Sequence, residues 1–278
     1  MAAAKLISFT KPHDIDFADN IKDVQDLVAF CARVSNPQNQ HNSGTSEKLL
    51  QYMIKNQHWS PFEMVNVCME ITTTRDIARQ ILRHRSFSFQ EFSQRYADVT
   101  DAASGLEFEI RDCRMQDPKN RQNSIPVDQD DIEAKFLEHQ WIKLQKEIIA
   151  FIDDKYRWAL EAGMAKECAR VILPEGLTQS RLYMNGTLRS WLHYIELRTA
   201  NGTQLEHQRV ARACAAKIVE IFPMLATHWA DSLPSWYVPG DTTTAITSTD
   251  EVTPVADSVI TSKEVNNGIA LTNTVNYK

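Results

Sequence analysis

Apolar and polar residues alternate in the stretch MVNVCMEITT, which covers residues 64–73. Val65, Val67, Met69 and Ile71 fall on one face, and the residues between them are mostly polar. A period of two residues is that of a β-strand with one buried face. This stretch is therefore predicted to be a half-buried strand.

Most of the remaining chain has the spacing of amphipathic helices. The predicted helices cover residues 23–35, 47–56, 75–85, 131–163, 164–172 and 204–225. Residues 181–198 start apolar, turn at Asn185-Gly186 and become a helix, and Gly163 is a natural C-cap for the longest pattern. A short apolar stretch near the N-terminus is a further strand, and residues 100–128 are irregular. This order predicts an α+β fold: a central, mostly antiparallel sheet flanked by long helices, with a flexible C-terminal tail.

Composition narrows the class of protein. Of the 278 residues, 43% are hydrophobic and 24% are charged, which is ordinary for a globular protein with a substantial core. No apolar run approaches the roughly 20 residues of a membrane helix, and the N-terminus lacks the apolar core of a signal peptide. These features predict a soluble intracellular protein.

The cysteines are far apart and contain no CxxC pair, so they predict neither a zinc site nor a disulfide framework. Reduced, mostly buried thiols are expected instead. The five residues are Cys31, Cys68, Cys113, Cys168 and Cys214.

One segment is strongly basic although the chain has a net charge of −6. Between residues 75 and 95, five arginines face only Asp76 and Glu91, which leaves a local charge of +3. Clustered guanidinium groups repel one another unless an anion lies among them, and arginine binds phosphate through paired hydrogen bonds. Ser88 and Ser93 add neutral donors, and Glu91 adds an acceptor for a ribose hydroxyl or a base N–H. These residue types favour a nucleotide site. The arginines are Arg75, Arg79, Arg83, Arg85 and Arg95.

Other interpretations of this segment remain open. On the helix predicted for residues 75–85, Arg79 and Arg83 are four residues apart, as are Gln80 and His84, so the helix can form a solvated basic face with scattered salt bridges. A nucleic-acid-binding module is a second possibility, although the net negative charge argues against general nucleic-acid binding. A helical scaffold without chemistry is a third. A serine nucleophile is disfavoured because the chain has no GxSxG motif.

The sequence RHRSFSFQEFSQR, at residues 83–95, resembles the signature RHRxxSxNExSxR of the flavin-dependent thymidylate synthases. The matching residues are Arg83, His84, Arg85, Ser88, Glu91, Ser93 and Arg95. Gln90 stands where the family usually has Asn, and Thr187 replaces another Asn. The segments HWSPFE, ECARVILP and TLRSWLHYIELR also resemble family motifs, so the resemblance covers about residues 5–235.

The resemblance implies an enzyme that converts dUMP to dTMP. In this family 5,10-methylenetetrahydrofolate supplies the carbon, and NADPH reduces a bound FAD that supplies the hydride. The implied FAD contacts are Ser60, Arg83, His84, Arg85, Glu91, Thr187, Leu188, Arg189 and His193. The implied dUMP contacts are Gln80, Arg83, Glu91, Ser93, Arg95, Arg170 and Arg198.

Within this set, Arg95 and Arg170 are expected to clamp the dUMP phosphate. Arg198 is the expected catalytic residue, because a cation at the uracil edge stabilises negative charge on the pyrimidine. His193 can alternatively be an ordinary helix histidine. Trp191 and Tyr194 are expected to be core or subunit contacts rather than flavin stackers.

The family resemblance also implies a homotetramer whose active sites are built from several subunits, with no nucleic-acid, membrane or metal partner. The long amphipathic helices agree, since they carry more apolar surface than one small sheet requires. We expect a catalytic domain over residues 1–238, a Thr-rich, disordered tail over residues 239–278, and a cytoplasmic location, or the host cytoplasm if the protein is viral.

Overall fold

A four-stranded antiparallel sheet lies at the centre of the computed structural model, which describes residues 3–13, 21–235 and 237. The strands are β1 (Ala3–Phe9), β2 (Asn66–Thr74), β3 (Ser88–Glu91), β4 (Arg114–Gln116), β5 (Ser124–Pro126) and β6 (Gln179–Thr187). The central sheet has the order β1–β2–β6–β3, and every neighbouring pair is antiparallel. Strands β4 and β5 form a separate pair.

The helices differ greatly in length. They are α1 (Val24–Ala32), α2 (Ser46–Lys55), α3 (Arg75–Ile81), α4 (Ile132–Glu161), α5 (Lys166–Ala169), α6 (Leu188–Thr199), α7 (Leu205–Val219) and α8 (Leu225–His228). Asp131 caps α4 by accepting hydrogen bonds from backbone N–H groups of its first turn, and Gly163 follows its end with φ +82°. The predicted α+β class, with its antiparallel sheet and long helices, is confirmed.

Strand β2 shows the predicted alternation. Val67, Met69 and Ile71 are completely buried, whereas Asn66 is exposed. The strand is central, because it pairs with β1 on one side and β6 on the other. Trp191 of α6 packs behind it and donates its indole N–H to the Val67 carbonyl at 3.0 Å. Both Trp191 and Tyr194 are buried, which confirms their predicted place in the core.

The predicted turn at Asn185-Gly186 does not exist. Strand β6 runs through both residues, and Gly186 pairs with Val67. A Cβ on Gly186 would lie 2.4 Å from a ring carbon of Phe87, so glycine is needed here for the close approach of an aromatic ring and not for a turn.

Helix α3 is shorter than predicted, since it ends at Ile81 and not near residue 85. Arg83 and His84 therefore lie in the following turn, and the two helical stripes proposed from the sequence do not form. The reason is tertiary: Phe87 enters the core and packs edge-to-face on Trp191, with ring centroids 4.9 Å apart. A continued helix would carry Phe87 past this position.

Four smaller predictions also need correction. The stretch at residues 100–128 contains the β4–β5 pair, and the helix predicted for 164–172 is only α5 followed by a 3₁₀ turn at Arg170–Ile172. Helix α7 ends at Val219, ahead of a turn that contains Pro223. All five thiols are free, but among them Cys214 alone is fully buried.

Within the residues that the structure describes, no helix is both long enough and apolar enough to cross a membrane. The predicted disordered tail, residues 239–278, lies outside the described residues.

Candidate active site

Most of the arginines assigned to the site lack a counter-charge. For four of them, no carboxylate among the described residues lies within ion-pair distance. By contrast, two nearby arginines that were not assigned to the site are paired: Arg79 with Glu175 at 2.5 Å and Arg111 with Asp76 at 2.7 Å. Those four are Arg83, Arg85, Arg170 and Arg198. Uncompensated guanidinium groups favour binding of an external anion. The basic stripe of Arg79 and Arg83 does not form, because Arg83 lies beyond the end of the helix. Arg79 itself forms an exposed salt bridge, as the basic-face alternative expects.

His84 and Arg198 form the best-defined contact of the site. The Arg198 Nε–H donates to His84 Nε2 at 2.9 Å. Burial, followed by the positive charges of Arg198 and Arg83, lowers the pKa of His84 to about 4. The ring is therefore neutral at physiological pH, and its single proton lies on Nδ1 because Nε2 is accepting. His84 offers a ligand one N–H donor.

Helix α6 begins beside the motif. The Thr187 hydroxyl caps this helix by accepting a hydrogen bond from the Ser190 N–H at 3.2 Å. The Ser190 hydroxyl donates to the Ser86 carbonyl at 3.2 Å, which ties the helix to the turn that carries His84. Thr187 replaces the family's usual Asn and uses its hydroxyl as a cap. Leu188 is completely buried and donates its N–H to Val65, so its contacts are with the core.

The first half of α6 faces the 3₁₀ turn Ser60–Met64. Arg189 forms an ion pair with Glu63, and the exposed ring of His193 packs edge-to-face on Trp59 with a centroid distance of 4.7 Å. The structure thus brings together Ser60, Arg189 and His193, which the sequence assigned to FAD from segments more than 120 residues apart.

Arg95 and Arg170 belong to a second region. Arg95 is exposed and binds Glu167 with its Nε and Nη2 atoms, each 3.2 Å from Oε2. Glu167 lies in α5, three residues before Arg170. Ser93 is also exposed. Among the described residues, no hydrogen bond or ion pair links this region to the contact between His84 and Arg198.

Glu91 is held at the end of β3. The Ser180 hydroxyl donates to Glu91 Oε1 at 2.8 Å, and Arg75 lies 3.8 Å from the same oxygen. These contacts fix the carboxylate while its second oxygen, Oε2, has no partner among the described residues. Gln90 faces solvent beside Glu91.

Gln80 contacts residues that the sequence analysis missed. His207 is completely buried, and its Nδ1 lies 3.2 Å from Gln80 Oε1. On the other side, Gln80 donates to Gln204 at 2.8 Å. A signal was available: His207 is a polar residue on the apolar face of α7, in line with Val210 and Cys214, which are also buried.

A cavity of about 570 Å³ lies between residues 99–110 and α4. None of the predicted site residues lines it.

Comparisons with known proteins agree with the motif. Residues 17–224 match the family model described as "Thymidylate synthase complementing protein". A probable flavin-dependent thymidylate synthase of Paramecium bursaria Chlorella virus 1 is 47% identical over 224 residues, which are 81% of this chain and 97% of that protein. The flavin-dependent thymidylate synthase of Synechocystis sp. is 46% identical over 222 residues, which are 80% of this chain and 96% of that protein.

A solved structure shows the same fold. The UMP/dUMP methylase PolB from Streptomyces cacaoi, crystallised with 5-Br dUMP, matches with a TM-score of 0.64 over 83% of this chain and 95% of that chain. The two sequences are 23% identical, so this comparison concerns the fold alone.

Proposed function

The chain belongs to the family of flavin-dependent thymidylate synthases, and from this premise we propose how its residues bind FAD and dUMP. The reaction is the reductive methylation of dUMP to dTMP. The carbon comes from 5,10-methylenetetrahydrofolate, and FAD, once reduced by NADPH, supplies the hydride. The assignment of single residues rests on their contacts and charges.

One observation carries the proposal: Arg83 and Arg85, which have no carboxylate partner among the described residues, flank in sequence His84, whose neutral ring offers an Nδ1–H donor. A diphosphate needs cations and N–H donors together, so these residues fit FAD. Arg189 and His193, on the neighbouring face of α6, contribute further donors. Thr187 and Leu188 support this face through the helix cap and the core, and Ser60 offers an exposed hydroxyl.

The dUMP phosphate is assigned to Arg95 and Arg170. Arg95 must leave Glu167 to bind phosphate, and this exchange costs little because a solvent-exposed ion pair contributes only about 0–1 kcal/mol. Ser93 adds a hydroxyl donor. The free oxygen of Glu91 is an acceptor for a sugar hydroxyl or a base N–H.

Arg198 acts at the pyrimidine. Its Nε is engaged by His84, which orients the guanidinium and leaves the two terminal nitrogens for the substrate. A fixed cation at the uracil edge stabilises the negative charge that develops on the ring, and such groups contribute about 10²–10³ in kcat. Gln80 contributes an amide beside it.

A homotetramer with shared active sites is part of the proposal, and the exposed side of α4 supports it. Apolar side chains on this helix are spaced by four and three residues alternately as far as Phe151, and Trp158 follows seven residues later. This spacing is the seam of a helix that packs on another helix. Each is 38–63% exposed. They are Leu137, Trp141, Leu144, Ile148, Phe151 and Trp158. The large exposed seam suits a second copy of the chain. A cytoplasmic location, where dUMP and NADPH occur, belongs to the same proposal.

The oligomer is tested by light scattering after gel filtration. We expect a tetramer for the wild type and smaller species with reduced dTMP formation for Leu144→Gln. Glu147→Gln is the matched control, because this residue is exposed on the same helix but is not on the seam. A monomeric wild type with full activity would contradict the shared site.

The FAD assignment is tested by flavin titration of the apoprotein. Arg85→Met should weaken FAD binding by about 10–100-fold, because a hydrogen bond to a charged group contributes about 1.5–3 kcal/mol. Arg79→Met should leave FAD binding unchanged, because Arg79 is paired with Glu175. Equal FAD affinity in the wild type, Arg85→Met and Arg79→Met would show that Arg85 does not bind FAD.

A further inference from the structure

A line of buried and half-buried polar side chains runs behind Gln80. The Tyr194 hydroxyl lies 3.1 Å from His207 Nε2, and His207 Nδ1 lies 3.2 Å from Gln80 Oε1. Gln80 Nε2 lies 2.8 Å from Gln204 Oε1, and Gln204 Nε2 lies 3.0 Å from Glu206 Oε2. We call these five side chains the Gln80 relay.

A carboxylate fixes one end of the Gln80 relay. Glu206 is buried, but hydrogen bonding from Arg114 at 2.6 Å and the charges of Arg111 and Arg114 keep its pKa below the ordinary value. An ionised carboxylate only accepts hydrogen bonds. Gln204 must therefore turn its NH₂ group toward Glu206 and its carbonyl oxygen toward Gln80.

The donor-to-acceptor direction of every other hydrogen bond in the relay follows from this one. Gln80 must donate its NH₂ group to Gln204, which turns its own carbonyl oxygen toward His207. His207 must in turn donate from Nδ1 and accept at Nε2 from the Tyr194 hydroxyl. Flipping either amide would place two acceptors or two donors face to face in a half-buried site, which is costly.

The ring chemistry agrees with this direction. Burial, with smaller effects from Arg198 and His84, lowers the pKa of His207 to about 3, so the imidazole is neutral. Burial raises the pKa of Tyr194 well above its ordinary value, so its hydroxyl keeps the proton it donates. The ring of Tyr194 also packs edge-to-face on His84, with centroids 4.9 Å apart. The Gln80 relay therefore adjoins the contact between His84 and Arg198.

We propose that His207 is a positioning residue for dUMP: through Nδ1–H it holds the Gln80 carboxamide in one orientation. Gln80 is partly exposed. Its two hydrogen bonds in the relay together use one N–H and one lone pair of its amide. The remaining N–H is then a fixed donor for a carbonyl oxygen of the pyrimidine. Without His207 the amide can rotate, and part of the binding free energy is spent on orienting it. This inference rests on the proposed contact between Gln80 and dUMP.

The first test compares two variants by equilibrium dUMP binding, FAD content and steady-state kinetics. His207→Leu removes the donor, and we expect dUMP to bind about tenfold more weakly, with FAD content unchanged. His207→Asn keeps a donor near the position of Nδ1, and its dUMP affinity should return to within about threefold of wild type. The affinity of His207→Asn should recover even though its thermal stability stays low, because Tyr194 loses its acceptor. An unchanged affinity in His207→Leu, or an equal loss in both variants, would overturn the proposal.

The second test needs no variant and no substrate. Nitrogen-15 NMR of the wild-type histidine side chains should show His207 protonated on Nδ1 and unprotonated on Nε2 from pH 5 to 9. The opposite tautomer would reverse the relay and overturn the proposal. If the tautomer is as expected but the wild type does not bind dUMP, the proposed function has failed and the relay has not.

Discussion

Substitution of Arg198 tests the proposed chemistry most specifically. The substitution Arg198→Met keeps a long side chain but removes the cation and the Nε–H donor that binds His84. Losing a preorganised group that stabilises developing charge costs about 10²–10³ in kcat. The fold should survive, because one hydrogen bond to a charged group contributes about 1.5–3 kcal/mol, which is a loss of several degrees in Tm for a chain of this size.

A second consequence is independent of turnover. Burial, Arg198 and Arg83 together lower the pKa of His84 to about 4. In Arg198→Met only burial and Arg83 remain, so the pKa of His84 should rise but stay below the 6.5 of an unperturbed histidine. Histidine NMR titration of the wild type and the variant measures this change.

The assay is dTMP formation by liquid chromatography, with flavin content and Tm measured on the same samples. Arg209→Met is the matched control, because Arg209 is an exposed residue of α7 that pairs with Asp112 at 2.8 Å. A flavin-loaded Arg198→Met protein with kcat within about threefold of wild type, far short of the expected loss, would refute the assigned role.

Other predictions follow from single contacts. Gly186→Ala places a methyl group 2.4 Å from the ring of Phe87, so we expect a loss of about 1–3 kcal/mol in urea unfolding; an unchanged midpoint would contradict the contact. In the folded protein His207 is neutral above its pKa of about 3, whereas in the unfolded chain it binds a proton below pH 6.5. His207 therefore contributes its full stability above pH 6.5. Below pH 6.5 this contribution decreases as the pH is lowered, and about 2 kcal/mol is lost at pH 5. His207→Leu should lack this pH dependence. Arg95→Met should raise the KM for dUMP and leave FAD content unchanged; a loss of FAD would reassign Arg95.

Local patterns predicted the elements whose residues repeat with a clear period. The alternation of β2 was sufficient because it reflects one face packed on the core, and the helical period of α4 was sufficient although its apolar seam is exposed. The end of α3 was not predictable from local signals, since no proline or glycine interrupts residues 82–87. It is set by Phe87, which packs against Trp191 more than 100 residues away.

The site residues, too, were predictable where the local sequence determines them and not where the fold does. The motif gave the positions of Arg83 and Arg85, but whether a guanidinium has a counter-charge depends on the fold and not on spacing. Gln80 and His207 are 127 residues apart, so their hydrogen bond cannot be read from a linear pattern. The turn predicted at Asn185-Gly186 was wrong for a related reason: the dipeptide is typical of a turn, but its glycine accommodates the ring of Phe87, which lies just before β3.

The most direct test of the central claim is isotope transfer by the purified enzyme. FAD-loaded protein is incubated with dUMP, NADPH and 5,10-methylenetetrahydrofolate labelled with carbon-13 at the methylene group, and the product is examined by mass spectrometry. We predict dTMP that carries the label in its methyl group, with no product when FAD or NADPH is omitted. Failure of reconstituted, flavin-containing protein to form labelled dTMP, or formation that persists without flavin, would contradict the account.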